Sequence, residues 1–166
     1  MNFNPLSARV LLDKITIWAV TIAIATLSLV PAAGAITQEL QLESQKGYII
    51  KTSFSYDSQT PETIAERGTG KTKVVDSLRV SFYEPTGKAI ATYDNIVDGT
   101  VKGEYFEFNY DPATEQLQGT IDLGGESAGE MYLKGKADGE LSLIRIDESG
   151  KEEVIDWIER DRQSDM

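Results

Sequence analysis

From Tyr48 onward the chain alternates apolar and polar residues at every second position, and turn residues cut the alternation at regular intervals. A period of two is the signature of half-buried strands and is incompatible with amphipathic helices, whose apolar positions recur every three or four residues. Val74 to Phe82 is the clearest segment: Val74, Leu78, Val80 and Phe82 fall on one face, Ser77, Arg79 and Ser81 on the other. Glu84-Pro85-Thr86-Gly87-Lys88 follows as a turn, with proline presetting φ and glycine free to take positive φ. The next strand, Ala89 to Val97, ends at Asp98-Gly99, a strong short-range hairpin signal.

The same grammar continues to the end. Thr100 to Tyr110 precedes Asp111-Pro112-Ala113-Thr114. Leu117, Ile121 and Leu123 precede Gly124-Gly125. Met131 and Leu133 precede Ala137-Asp138-Gly139, and Leu141, Leu143 and Ile146 precede Glu148-Ser149-Gly150-Lys151. Short links predict antiparallel neighbours in an up-and-down meander of about eight strands, closed as a small β-barrel or stacked as a β-sandwich. The last segment has two readings. Ser149 to Glu152 has capping-box form, with Val154, Trp157 and Ile158 on one helical face; the turn before it equally launches a strand from Glu153 to Glu159, the reading favoured here. Residues 161–166 are expected to fray.

The N-terminal fifth of the chain is of another kind. Arg9 and Lys14 precede an uncharged run from Ile15 to Val30, then Pro31-Ala32-Ala33-Gly34-Ala35 and the polar Thr37-Gln38-Glu39. This is the layout of a secretory signal, with Ala33 and Ala35 as the small residues of a cleavage site. The run has 16 residues, short of the ~20 that span a bilayer, so cleavage is favoured over an uncleaved anchor. The expected organisation is a signal peptide over 1–35, which forms an N-terminal signal helix, followed by an antiparallel β domain over 36–160. Cleavage after Ala35 leaves 131 residues, enough to bury a core without staples. The expected location is periplasmic or extracellular, with membrane contact only through the export signal.

Composition narrows the chemistry. The chain carries a formal charge of −11 and neither histidine nor cysteine. Disulfides, thiolate zinc sites and the commonest general base are thereby excluded. The acidic excess repels phosphates, so nucleic acid is not an expected partner; its simplest role is solubility.

Several phrases resemble exported bacterial β domains, mostly cyanobacterial, that often carry a PEP-CTERM sorting tail. They are Ser53-Phe54-Ser55-Tyr56-Asp57, Leu78 to Gly87, Phe106-Glu107-Phe108-Asn109-Tyr110-Asp111 and Leu117 to Gly125. The resemblance implies an exported β-sandwich-like domain and transfers no catalytic residues. The given sequence shows no C-terminal Pro-Glu-Pro, apolar stretch and basic cluster, so it does not extend to that sorting route.

Four motifs carry possible chemistry. Ala65-Glu66-Arg67-Gly68-Thr69-Gly70-Lys71-Thr72 fits a relaxed phosphate-loop pattern, but such a loop needs a buried strand before it and a helix after it, and here the alternation predicts a strand after it. Acidic turns offer calcium candidates in Asp94, Asp98, Asp111, Asp122 and Glu126, with Asp138 and Glu140, none at the spacing of a dedicated calcium loop. Paired carboxylates are the raw material of glycoside hydrolysis, and no pair is singled out. Tyr105, Phe106, Phe108 and Tyr110 form an aromatic stretch that is either core or a ligand or partner patch. A barrel enclosing an apolar ligand is an alternative, without the lipocalin G-x-W signature; a transmembrane barrel fits poorly with such short, charged strands.

The leading expectation is therefore an exported non-catalytic β domain with a binding or structural role, its partner lying on a surface or in a matrix. An apolar-ligand barrel and a carboxylate-dependent hydrolase are the alternatives, and no cofactor is expected beyond possible Ca2+. Mass spectrometry of the protein recovered from its exported fraction should give a 131-residue chain beginning at Ile36; a full-length mass would show that the apolar segment is retained.

Overall fold

The computed structural model describes residues 34–59, 63–103 and 105–159. The expected signal helix, Ala33 and the tail 161–166 lie outside them. Within them the chain is all β, with twelve strands: β1 (Ala35–Glu43), β2 (Ile49–Asp57), β3 (Ile64–Arg67), β4 (Val75–Tyr83), β5 (Ala89–Val97), β6 (Thr100–Val101), β7 (Glu107–Asp111), β8 (Gln116–Leu117), β9 (Thr120–Gly124), β10 (Met131–Lys136), β11 (Glu140–Ile146) and β12 (Glu152–Glu159). They form two antiparallel sheets. One runs β1-β2-β4-β5-β6; the other runs β12-β11-β10-β9-β7-β3, with β8 paired to β7.

The architecture is a sandwich, and among the described residues neither sheet closes into a barrel. The meander is also interrupted. β3 leaves the first sheet to pair with β7 at the far edge of the second, and β4 returns to lie beside β2. The count exceeds eight because β1 and β3 are additional strands and because Leu117 to Leu123 and Thr100 to Tyr110, each expected as one strand, are divided. Thr100 and Val101 finish the first sheet, while Glu107 to Asp111 belong to the second. The segment between them carries the chain from one layer to the other. The ambiguous C-terminal segment is the strand β12, so the helical reading fails: its residues pair along β11.

Alternation decides what faces inward. Phe54 and Tyr56 of β2, Leu78, Val80 and Phe82 of β4, Phe108 and Tyr110 of β7 and Ile121 and Leu123 of β9 are all buried. At β4 the expected set shifts by one residue. The register slips between Ser55 and Tyr56, so Val75 rather than Val74 enters the core; a bulge inserts one residue and reverses the face beyond it. Phe54 sits at the centre, with ring centroids 4.9 Å from Phe108 and 4.8 Å from Tyr110 in edge-on geometry. Such pairs each add about 0.5–1.5 kcal/mol beyond burial.

The Asp98-Gly99 turn forms as read: φ is 50° at Asp98 and 64° at Gly99, the two positive values that a tight primed hairpin turn demands. Gly124, at the end of β9, is under a different demand. Its φ is +137°, and a Cβ there would collide with the Met131 carbonyl. Gly124→Ala should lower stability by at least about 2 kcal/mol through strain and overpacking together. Gly129→Ala, where φ is +85° but an added Cβ meets nothing within 4 Å, should cost less, about 1–2 kcal/mol from backbone strain alone. Urea unfolding of the two variants checks the ordering.

Candidate functional site

The aromatic stretch divides by parity. Phe106, Phe108 and Tyr110 are fully buried, whereas Tyr105 is 46% exposed. Three of the four are core, because even-numbered residues of this segment face the first sheet. Tyr105 alone reaches solvent, on the outer face of the larger sheet.

That outer face is built by cross-strand register. One row crosses it as Gly124, Tyr132, Ile144 and Val154, and the next as Glu107, Asp122, Lys134, Ser142 and Trp157. The first row is apolar, and Tyr132, Ile144 and Ile146 form a small cluster separate from the main core. The second row is charged at Glu107, Asp122 and Lys134 and ends on the indole of Trp157. Between the rows lies a shallow groove of about 290 Å3, to which Tyr105, Tyr132 and Ile146 contribute apolar surface and Asp122, Glu126, Lys134 and Glu152 contribute charge.

The groove is held by specific contacts. Glu126 accepts the Tyr105 backbone N–H at 2.8 Å, and the Tyr105 hydroxyl donates to Glu107 at 2.9 Å. The Lys134 ammonium lies 3.3 Å from Asp122 and 5.7 Å from the centre of the Tyr132 ring. The Tyr132 hydroxyl is buried and makes no hydrogen bond among the described residues. Burial, then the nearby Glu152 carboxylate, holds its ionisation far above the ordinary tyrosine range. Burial also raises the Asp122 carboxyl; Lys134 opposes the rise, while Glu126 and Glu107 add to it. One cation is thus shared among several carboxylates beside two tyrosine rings.

The remaining calcium candidates are not brought together. Asp94 is engaged by Arg79, with Nε–Oδ1 at 2.6 Å and Nη2–Oδ2 at 3.2 Å. Asp98 sits in the β5–β6 turn. Asp111 organises the turn after β7, accepting the Ala113 N–H at 2.8 Å and the Gln118 amide at 2.9 Å. Asp138 lies in the β10–β11 link and Glu140 opens β11. Only Asp122 and Glu126 share a site, and among the described residues no three His, Cys, Asp or Glu side chains converge as a metal would require.

The phosphate-loop pattern has a structural role. Ala65 to Arg67 lie in β3, and a bend rather than a helix follows. Glu66 is buried, and its Oε1 accepts the N–H groups of Lys73 at 2.8 Å and Val74 at 2.7 Å. The loop then bonds across the sandwich edge: Val101 N–H to Gly70 carbonyl at 2.8 Å, Thr72 N–H to Gly99 carbonyl at 2.9 Å and Gly68 N–H to Phe106 carbonyl at 2.9 Å. The Gly68 and Thr72 amides are thus engaged by the protein itself.

Ala35, the proposed cleavage residue, is the first residue of β1. Tyr132, Lys134 and Glu152 were not singled out from sequence. The signal for the first two was present, since Met131 and Leu133 as inward residues put Tyr132 and Lys134 outward. Glu152 needed the β11–β12 register. Comparison with protein-family models, curated proteins and solved structures finds no match in any of the three.

The carboxyl shifts have opposite signs. Asp122 is raised, so protonating it as pH falls through its folded-state range strengthens the fold. Asp94, Asp111 and Asp147 are lowered, by Arg79, by turn amides and by Ser149 with turn amides respectively. Their contribution is present above the ordinary carboxylate range and lost as pH drops below it. An NMR carboxyl titration should place Asp122 above that range and Asp111 and Asp147 below it. Lys134→Met should move the Asp122 midpoint further up; an unmoved midpoint would show that Lys134 does not restrain it.

Proposed function

We propose that this chain is an exported, non-catalytic binding domain that takes a positively charged group of its partner on the outer face of the larger sheet. The observation that carries this reading is the groove of Tyr105, Tyr132, Asp122, Glu126 and Glu152 around the single Lys134. Carboxylates beside aromatic faces attract ammonium and guanidinium groups, by charge and by the ring quadrupole. Lys134 itself, lying over Tyr132 and against Asp122, is an internal example of that preference. A formal charge of −11 steers cations toward the molecule. The inward aromatic residues fill the core, which supports a surface site over an enclosed apolar cavity. Export rests on the basic, apolar and small-residue layout of the first 35 residues.

A second reading uses the same groove. A half-buried carboxyl with raised pKa, beside others, is what a carboxylate-dependent hydrolase needs for its acid. The ion pair between Asp122 and Lys134 favours the ionised form and so weighs against a general acid there.

Calorimetric titration with hexa-arginine at low salt separates the groove from general acidity. Asp122→Asn/Glu126→Gln should weaken binding at least fivefold, about 1 kcal/mol. Asp138→Asn/Glu140→Gln removes the same charge elsewhere and should change it little. Equal losses in both would reduce the attraction to net charge and overturn the reading.

A further inference from the structure

The sandwich is closed on one side and open on the other. The loop after β3 bonds to the β6 segment and seals one side. On the opposite side β1 and β12 are the end strands of their sheets. A clasp joins them near the β1–β2 turn: Gln45 N–H donates to the Trp157 carbonyl at 3.0 Å, Lys46 N–H to the Asp156 carboxylate at 2.8 Å, and the Lys46 ammonium to the Ile155 carbonyl at 2.7 Å. Beyond the clasp lies a cleft of about 330 Å3, with Leu40 and Leu42 on one wall, Ile158 on the other, and Leu117 and Leu141 behind.

Two features choose the occupant. The first is the backbone. Among the described residues no strand pairs with the outer edge of β1 or of β12; at β12 the clasp already takes the Ile155 and Trp157 carbonyls, so the main-chain groups open to pairing lie along β1. An alkyl chain lying there would shield those groups from water without pairing them, whereas an extended peptide pairs them. The second is charge. Glu39 and Glu43 on β1, Glu159 on β12 and Glu115 at the mouth are all exposed, while Glu153 is paired with Arg145 at 2.8 Å. The nearest lysine on β2, Lys51, lies over the Tyr83 ring at 5.4 Å. A second copy of this chain would set glutamates against glutamates.

We propose that the β1–β12 seam is a strand-addition site for an extended segment of a partner protein that alternates apolar residues with lysine or arginine. The apolar side chains enter the cleft beside Leu40, Leu42 and Ile158. The basic ones lie outward, beside Glu39 and Glu159, as cross-strand pairs. The site is independent of the outer-face groove.

The test titrates the purified protein with a fluorescent ten-residue peptide of alternating lysine and valine, reading anisotropy and amide hydrogen exchange. Saturable binding is expected, with new protection in residues 36–43, and a tenfold or greater loss when alternate peptide amides are N-methylated. Glu39→Lys/Glu159→Lys, both exposed, should weaken that peptide at least tenfold and favour a glutamate–valine peptide. The groove variant Asp122→Asn/Glu126→Gln should bind as before, which separates this proposal from the preceding one. Binding indifferent to N-methylation or to the charge reversal overturns strand addition. So does failure of the peptide to bind, whether or not a fluorescent fatty acid then occupies the cleft.

Discussion

Asn95 ties the two layers together. It lies at the register slip in β5, buried, with its side-chain amide donating to the Gly124 carbonyl at 2.8 Å and its side-chain carbonyl accepting the Gly124 N–H at 3.1 Å. A buried amide without partners costs on the order of 1–3 kcal/mol, so an amide satisfied this way holds its position against alternatives. Its own carbonyl accepts the Lys102 N–H at 2.8 Å, just where the chain leaves the first sheet for the second. Beside it the Tyr93 hydroxyl accepts the Met131 N–H at 3.0 Å. These contacts join β5 to the β9–β10 hairpin, which carries Asp122, Tyr132 and Lys134. The position of the outer-face groove therefore depends on a polar contact on the inner face.

The sandwich handles its two sides differently. One is sealed by main-chain bonds around a buried glutamate, Glu66, whose carboxylate gathers the amides of the loop after β3. The other is clasped through Asp156, fully buried. Burial acts to raise the Asp156 carboxyl, but the Ser44 hydroxyl and the Lys46 N–H hold it below the ordinary range. The exposed glutamates along β1 and β12 discourage edge-to-edge pairing between copies, a familiar protection for sheets with open edges. The same charges define which foreign strand would be accepted.

Acidity has separate consequences in the turns and in the groove. In the turns, aspartates are consumed locally: Asp111 and Asp147 accept backbone amides and set loop geometry. In the groove, carboxylates crowd around one lysine beside two tyrosines, and burial works against ionisation of Asp122. Residue type alone does not separate these roles. Hydrogen-bond partners do.

Strand identity was legible in the sequence because side-chain direction in a strand is a local property with a period of two. The Asp98-Gly99 turn was legible because positive φ at both positions limits the residues that fit. Parity made Phe108 and Tyr110 candidates for one face, but which layer they would cover was not encoded locally. The division of Thr100 to Tyr110 between sheets, the return of β3 to β7 and the slips at Asn95 and Val75 are settled by packing of the two layers, because each exchanges a local pairing for a distant one. The candidate site shows the same limit. Tyr105, Asp122 and Glu126 could be named from sequence as separate aromatic and acidic candidates; their meeting with Tyr132, Lys134 and Glu152 depends on the register of five strands. Sequence determined an alternating, acidic, all-β chain, and tertiary structure decided which alternations face each other, since register is a relation between strands and is stored in none of them alone.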